Sequence, residues 1–102
     1  MDMRVLMKQA QQMQAKMAVA QARLQEETAE ASSGGGMVTA VASGKGELLS
    51  VKIKKDVVDP DDVEMLEDLV LAAANEALRK TRDRMAEEMG KLTGGMNVPG
   101  MF

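Results

Sequence analysis

The sequence contains no cysteine, histidine, tryptophan or tyrosine, and its one phenylalanine is the last of its 102 residues. Without cysteine there are no disulfides, thiolate nucleophiles or zinc–thiolate sites. Without histidine the chain lacks the commonest acid–base group and metal ligand. The core must therefore be aliphatic, and 11 methionines together with many alanines can form it. So sparse a catalytic inventory predicts that the protein is not an enzyme and has no small-molecule substrate.

Long apolar runs are also missing. The longest run, residues 69–74, has six residues, whereas a helix needs about 20 to cross a bilayer. No signal peptide is recognised at the amino terminus. A chain of this length forms one domain. We therefore expect a single cytoplasmic domain without a membrane partner.

The net charge of −3 argues mildly against a nucleic-acid partner, but the charges are unevenly distributed. Six acidic residues fall within residues 59–68, whereas the first 25 residues contain one acid, Asp2. The cations of those 25 residues are Arg4, Lys8, Lys16 and Arg23. The acids of residues 59–68 lack the spacing of a calcium loop, so no metal or cofactor is expected. The acidity is thus local, and it leaves a basic segment at the start of the chain.

Two long helices are predicted from the spacing of apolar residues. Over residues 3–25 these recur at intervals of four and three, a heptad seam typical of a helix that packs lengthwise on another helix. The seam consists of Leu6, Ala10, Met13, Met17, Ala20 and Leu24. A second helix is predicted to run to about Leu92, with Asp59 as its N-cap and Pro60 at its first position. Its first apolar stripe consists of Val63, Leu66, Val70, Ala73 and Ala77.

Between the helices the pattern indicates β-structure. Residues 37–43 and 47–54 are two strand-like segments joined by a glycine-containing turn, which predicts a hairpin. In the second segment Leu49, Val51 and Ile53 alternate with polar residues, so one face is expected to be buried and the other solvated. Residues 28–32 fit either a frayed helix end or a short strand. Residues 93–102 contain three glycines and a proline and are expected to form a flexible tail after a domain of residues 1–92.

The helix lengths predict self-association. Helices of about 23 and 32 residues would be about 35 and 48 Å long, which is more than a small sheet can cover. Part of the helix pair must project beyond the sheet. The apolar seam of that part must then be buried either against the other helix of the same chain or against a second copy of the chain. We therefore expect a homodimer.

Several segments, taken together, resemble the YbaB/EbfC family of nucleoid-associated proteins. They are residues 6–14 (LMKQAQQMQ), 37–41 (MVTAV, after a glycine run), 49–53 (LSVKI), 65–77 (MLEDLVLAAANEA) and 92–100 (LTGGMNVPG). The resemblance implies an α+β fold, in which an α-β-β-β-α protomer with two long helices and a small three-stranded antiparallel sheet forms a tweezer-like homodimer. Residues 28–32 would then be the first strand.

The resemblance also implies a function. It implies a nucleoid protein of the cytoplasm that binds double-stranded DNA with little sequence selectivity and alters DNA conformation. Roles in nucleoid organisation, gene regulation and DNA protection would follow. The alternative is a non-enzymatic interaction module whose methionine-rich helices dock a partner protein.

Ten cations are candidates for contacts with DNA. They are Arg4, Lys8, Lys16 and Arg23 of the first helix, Lys52 and Lys54 of the last strand, and Arg79, Lys80, Arg82 and Arg84 of the second helix. Each set has two interpretations: phosphate contacts, or a solvated surface. On the second helix the latter would take the form of ion pairs four residues apart. Those pairs would be Glu76–Lys80, Arg79–Asp83 and Arg84–Glu88.

Overall fold

A computed structural model describes residues 2–94 of the chain. Its elements are α1 (Met3–Glu26), β1 (Thr28–Ser33), β2 (Val38–Ser43), β3 (Leu48–Ile53), a short 3-10 turn (Lys55–Val57) and α2 (Val63–Thr93). This order confirms the predicted α+β fold, with two long helices and a three-stranded antiparallel sheet. Of the predicted tail, Thr93 belongs to α2, and residues 95–102 lie outside the described residues.

The start of α1 and the segment after it follow from local chemistry. The Asp2 carboxylate accepts a hydrogen bond from the backbone N–H of Arg4 at 2.9 Å and so caps the helix. The helix ends at Glu26, and the backbone at Glu27 is extended (φ −73°, ψ 154°). The chain then continues directly into β1, so residues 28–32 form a strand rather than a helix end.

The predicted N-cap of α2 was wrong by three residues. Asp62, not Asp59, caps the helix, and its carboxylate accepts from the N–H of Met65 at 3.2 Å. The Asp59 carboxylate instead accepts from the N–H of Asp61 at 2.9 Å. Asp59 thus closes a turn that precedes the helix, and it cannot cap a helix that starts later.

The three strands form a meander in the order β1-β2-β3. A glycine turn joins β1 to β2, and Gly34, Gly35 and Gly36 all have positive φ angles (59°, 68° and 93°), which only glycine adopts easily. β1 and β2 pair with Ala31 opposite Ala40. Since side chains alternate between faces, Ala31, Val38, Ala40 and Ala42 share one face, and all four are buried.

The core lies between that face and α2. The helix contributes Ala73 and Ala77, which are fully buried like Ala40 and Ala42 opposite them. Alanines on both sides let the helix backbone come close to the sheet. Leu66, Leu69, Val70 and Leu78 pack around this centre and are half-buried. The apolar stripe predicted for α2 is therefore confirmed, apart from Val63, which is 52% exposed.

The molecule is strongly elongated. Its radius of gyration is 19.8 Å and its principal extents are 71 × 26 × 16 Å, whereas a compact domain of 100 residues has a radius of gyration of about 13 Å. The second half of α1 packs along α2, with Leu24 buried and Met17 and Ala20 half-buried. The first half extends beyond this contact. The prediction that the helices project is thus confirmed.

The last strand departs from expectation. Leu49, Val51 and Ile53 were expected to be buried, yet they are 56%, 39% and 41% exposed. The reason is that α2 packs across β1 and β2 and scarcely reaches β3.

Among the described residues, no helix is long and apolar enough to cross a membrane.

Candidate nucleic-acid interface

The first half of α1, residues 3–16, forms a projecting segment that we call the α1 arm. All of its residues are exposed except Met13, which is half-buried. At 100° per residue, Arg4, Lys8 and Lys16 lie within about 120° of the helix circumference, and Arg23 continues the same stripe. The heptad seam lies on the opposite side of the helix. The arm therefore presents one continuous basic face to solvent.

The cations of the arm have no acidic partners in the described part of the chain. Neither Arg4, Lys8 nor Lys16 forms an ion pair or a side-chain hydrogen bond with any residue between Asp2 and Gly94. The sequence explains this, because residues 3–25 contain no acid. Glu27, just after this stretch, contacts Arg84 of α2 rather than the arm. The positive charge of the arm is therefore not neutralised locally.

The basic cluster of α2 is in a different situation. The Arg79 guanidinium donates to Glu76 at 3.0 Å and to Asp83 at 2.8 Å. The hydrogen bond to Glu76, followed by the charges of Glu76 and Asp83, raises the pKa of Arg79 above its ordinary value. Reciprocally, the bond from Arg79 lowers the pKa of Glu76. The predicted pair Arg79–Asp83 is confirmed, and Arg79 is occupied within its own helix.

Lys80 and Arg84 attach α2 to the start of β1. The Lys80 ammonium donates to the backbone carbonyl of Glu30 at 2.8 Å, so the predicted pair Glu76–Lys80 is replaced by a contact with the sheet. The Arg84 guanidinium donates to Glu27 at 3.2 Å and also to Glu88. These two bonds raise the pKa of Arg84. The predicted pair Arg84–Glu88 is confirmed, and the contact with Glu27 could not be inferred from helix spacing.

Glu88 connects the two helices. Its side chain is 17% exposed and contacts three cations: Arg84, Lys91 at 3.2 Å, and Arg23 of α1 at 3.9 Å. Hydrogen bonds from Lys91 and Arg84 hold the pKa of Glu88 below its ordinary value. The contact with Arg23 is loose, and the Arg23 side chain is 63% exposed. Arg23 can therefore still face solvent beside the basic stripe of the arm.

The remaining candidates lie elsewhere on the surface. Lys52 stands on the outer face of the sheet, opposite Thr39 in the ladder, and Lys54 follows the end of β3. Both are exposed, as is Arg82 on α2. None of the three is ion-paired within residues 2–94. The structure thus places three of the ten candidates on the free arm, three in a bonded cluster on α2 and three elsewhere on the surface, while Arg23 lies beside the arm with a loose contact to Glu88.

A cavity of about 220 Å³ lies where α1, the sheet and α2 meet, and its charged lining residues, Glu27, Lys80 and Arg84, are hydrogen-bonded to protein. Among residues 2–94 no three acidic side chains converge to hold a metal ion.

Comparison with known proteins gives a consistent picture. The model of the YbaB/EbfC DNA-binding family matches residues 1–96. The chain is 58% identical to the nucleoid-associated protein of Clostridium novyi over 102 residues, which is 100% of this chain and 90% of the relative. It is 54% identical to that of Alkaliphilus metalliredigens over 101 residues, covering 99% and 89% of the two chains. The crystal structure of the Helicobacter pylori protein HP0035 shares the fold, with a TM-score of 0.65, 20% identity, and coverage of 78% of this chain and 93% of that one.

Proposed function

This chain belongs to the YbaB/EbfC DNA-binding family, and on that premise we propose that it is a nucleoid-associated protein that binds double-stranded DNA as a homodimer. Its relatives in Clostridium novyi and Alkaliphilus metalliredigens carry the name nucleoid-associated protein. A place in the nucleoid, and hence in the cytoplasm, follows from the same proposal, as does a role that is not enzymatic. Residues 1–92 would be the domain that performs it.

One observation supports the α1 arm as the main DNA contact: its cations are exposed, lie on one side of the helix and have no acidic partner within residues 2–94. A cation already bonded to a carboxylate must give up that bond before it can neutralise a phosphate. Arg79 and Arg84 are in that position. Arg4, Lys8 and Lys16 are not, so their charge is fully available to DNA.

The acidic cluster of residues 59–68 is placed where it does not oppose this contact. Residues 59–68 hold six acids and lie around the start of α2, whereas the arm projects beside the end of α2, near Leu92. The two ends of a 31-residue helix are separated by about 46 Å at 1.5 Å per residue. This is several times the Debye length of about 8 Å at physiological ionic strength. A net charge of −3 is therefore compatible with DNA binding at the arm.

The contacts are expected to fall mainly on phosphates. Recognition of a particular DNA sequence needs side chains held against the edges of the bases. These side chains commonly lie on a helix that a neighbouring helix positions in the groove. The arm stands alone, and there is no aromatic side chain in residues 2–94 to stack on a base. Binding should then depend little on sequence. A homodimer would carry two such arms, and attachment of both to one duplex would favour particular DNA conformations, with consequences for nucleoid organisation, transcription and DNA protection.

The experiment compares wild type with three variants in a binding assay on random-sequence duplex DNA. The first variant reverses the arm (Arg4, Lys8 and Lys16 to Glu), the second reverses the strand lysines (Lys52 and Lys54 to Glu), and the third is Arg82→Glu. We expect the arm variant to lose the most affinity, on every duplex alike. Equal binding by wild type and all three variants would contradict the proposal. Failure of wild type to bind any duplex at low salt would favour the alternative of a protein-interaction module.

A further inference from the structure

The α1 arm has an apolar face on the side away from its cations. Met3, Leu6, Ala10 and Met13 of the heptad seam lie within about 80° of the helix circumference. Met3 is 67% exposed and Leu6 is 41% exposed, and Ala10 is exposed as well. A stripe of this kind is normally buried against another helix or segment. Within residues 2–94 nothing covers it from Met3 to Ala10.

The arm also has few interactions of its own to keep it helical. The second half of α1 is docked on α2 and supplies a helical nucleus, but the 14 residues of the arm form a length at which helices without tertiary contacts are marginal in water. Ion pairs one turn apart could add stability, yet residues 3–16 contain no acid. Burial of the seam is therefore the interaction that would stabilise the arm most.

The carboxyl end of α2 lies beside the base of the arm. Arg23 of α1 contacts Glu88 of α2, and Leu92 lines a surface groove together with Ala15 and Val19. Later residues of α2 thus meet earlier residues of α1, so the two helices are antiparallel. A chain that continues past α2 in the same direction runs toward the tip of the arm.

The segment that continues from α2 is apolar and uncharged. Residues 95–102 read GMNVPGMF, and none of their side chains is charged. Four of these eight residues are large and apolar: Met96, Val98, Met101 and Phe102. Segments that stay solvated are typically rich in charged and polar residues, whereas methionine side chains adapt well to irregular apolar surfaces. This composition favours burial against apolar surface.

The segment is also long enough to follow the seam to its end. Eight extended residues span at most about 26–29 Å, whereas Met17 and Met3 are separated by about 21 Å along the helix. Val98 lies four residues past Gly94 and can reach at most about 14 Å. Ala10 is about 10 Å from Met17 along the helix. Val98 can therefore reach the middle of the seam, and the residues after it can reach Leu6.

We propose that residues 95–102 lie along the apolar seam of the α1 arm in the same chain, with Val98 near Ala10 and Phe102 toward Leu6. The occupant is this segment because it starts at the base of the arm, which gives it a high effective concentration at the seam. The contact stabilises the arm as a helix and replaces the flexible tail expected from the glycines and the proline. It leaves the basic face of the arm exposed, and it does not depend on whether that face binds DNA.

Disulfide formation between two introduced cysteines tests the contact, because the chain has no cysteine of its own. Ala10→Cys with Val98→Cys places two thiols at the proposed contact, and Gln12→Cys with Val98→Cys is the matched control. Ala10 and Gln12 are both exposed, but they lie about 160° apart around the helix. Under mild oxidation we expect the first pair to form a disulfide within one chain at least about fivefold faster than the control pair. Equal rates for the two pairs, or links mainly between two chains, would overturn the proposal.

Amide hydrogen exchange of the full chain, followed by mass spectrometry, tests whether the segment stabilises the arm. Val98→Asn combined with Phe102→Asn removes apolar contacts without adding a charge, and Asn97→Ser changes a polar neighbour as the control. The double variant should speed the exchange of residues 4–16 by about threefold or more and leave that of residues 63–85 unchanged. The control should match wild type throughout. Wild-type exchange of the arm in the double variant, or an equal change in the control, would contradict the proposal.

Discussion

Gly44 lies directly against the backbone of Leu24: a Cβ atom at position 44 would stand 1.9 Å from the Leu24 carbonyl oxygen. The N–H of Gly44 also donates to the carbonyl of Glu27 at 2.9 Å. The turn between β2 and β3 is thereby joined to the last turn of α1. This contact fixes the base of α1 on the sheet, and so it sets the direction in which the α1 arm projects.

Replacing Gly44 with alanine should strongly destabilise the fold. The added methyl group meets backbone atoms that cannot move without shifting α1 or the turn. We expect a loss of at least about 2 kcal/mol in the free energy of unfolding, or a fall in Tm of about 10 °C. Gly90→Ala is the control, because a Cβ there has no neighbour within 4 Å and should stabilise the helix by about 0.5–1 kcal/mol. Equal melting of the two variants would show that the close approach at Gly44 is not real.

The alanine contact between α2 and the sheet should not tolerate a larger side chain. Ala77 of α2 is fully buried against the alanines of the β-strands. The larger side chain of Ala77→Leu must therefore push the helix away from the sheet. We expect a loss of about 1–3 kcal/mol, measured by chemical denaturation. Ala72→Leu adds the same group on the exposed side of α2 and should be close to neutral. A stable Ala77→Leu protein would mean that the helix does not sit as close to the sheet as described.

The junction between α1 and α2 should weaken in acid. The pKa of Glu88 and that of Glu76 are lowered in the folded protein from the ordinary value of 4.5. Between the lowered pKa values and about pH 4.5, the unfolded chain binds more protons than the folded one. The stability contributed by these two carboxylates is therefore fully present above about pH 4.5 and is lost as the pH falls through their lowered pKa values. Glu88→Gln should therefore have a lower Tm than wild type at pH 7 and approach it near pH 3.

The neighbouring substitution Glu87→Gln is the control for this effect. Glu87 contacts one cation, Lys91, at 3.6 Å, whereas Glu88 contacts three. The control should therefore change the melting profile less across the same pH range. A Glu88→Gln protein whose Tm stays parallel to that of wild type from pH 7 to pH 3 would contradict the assigned ion-pair network.

Much of the fold could be predicted from the sequence, because periodicity reports secondary structure directly. The heptad spacing of α1 and the hairpin around Gly44 are local signals, and the bounds they gave agree with the structure to within one residue. The N-cap of α2 could not be predicted as well from the sequence, because Asp59 and Asp62 have the same side chain and either could cap a helix. What separates them is that the Asp59 carboxylate already bonds the N–H of Asp61.

The candidate site could be predicted only in part, for a physical reason. Helix spacing correctly predicted Arg79–Asp83 and Arg84–Glu88, because both pairs lie one turn apart. It could not predict that Arg84 also bonds Glu27, which is 57 positions away. Nor does alternation along β3 show whether its apolar face is covered. That depends on how many strands one helix can span, which is a property of packing.

The measurement that tests the central claim most directly is the salt dependence of DNA affinity for wild type and for the variant with Arg4, Lys8 and Lys16 changed to Glu. A wild-type dimer that neutralises about four to six phosphates should show a slope of roughly −4 to −5 for log affinity against log salt, the same on unrelated duplexes. The arm variant, still folded and dimeric, should bind more weakly and show a flatter slope. Identical slopes and affinities for the two proteins would contradict the assignment of the α1 arm as the surface that binds DNA.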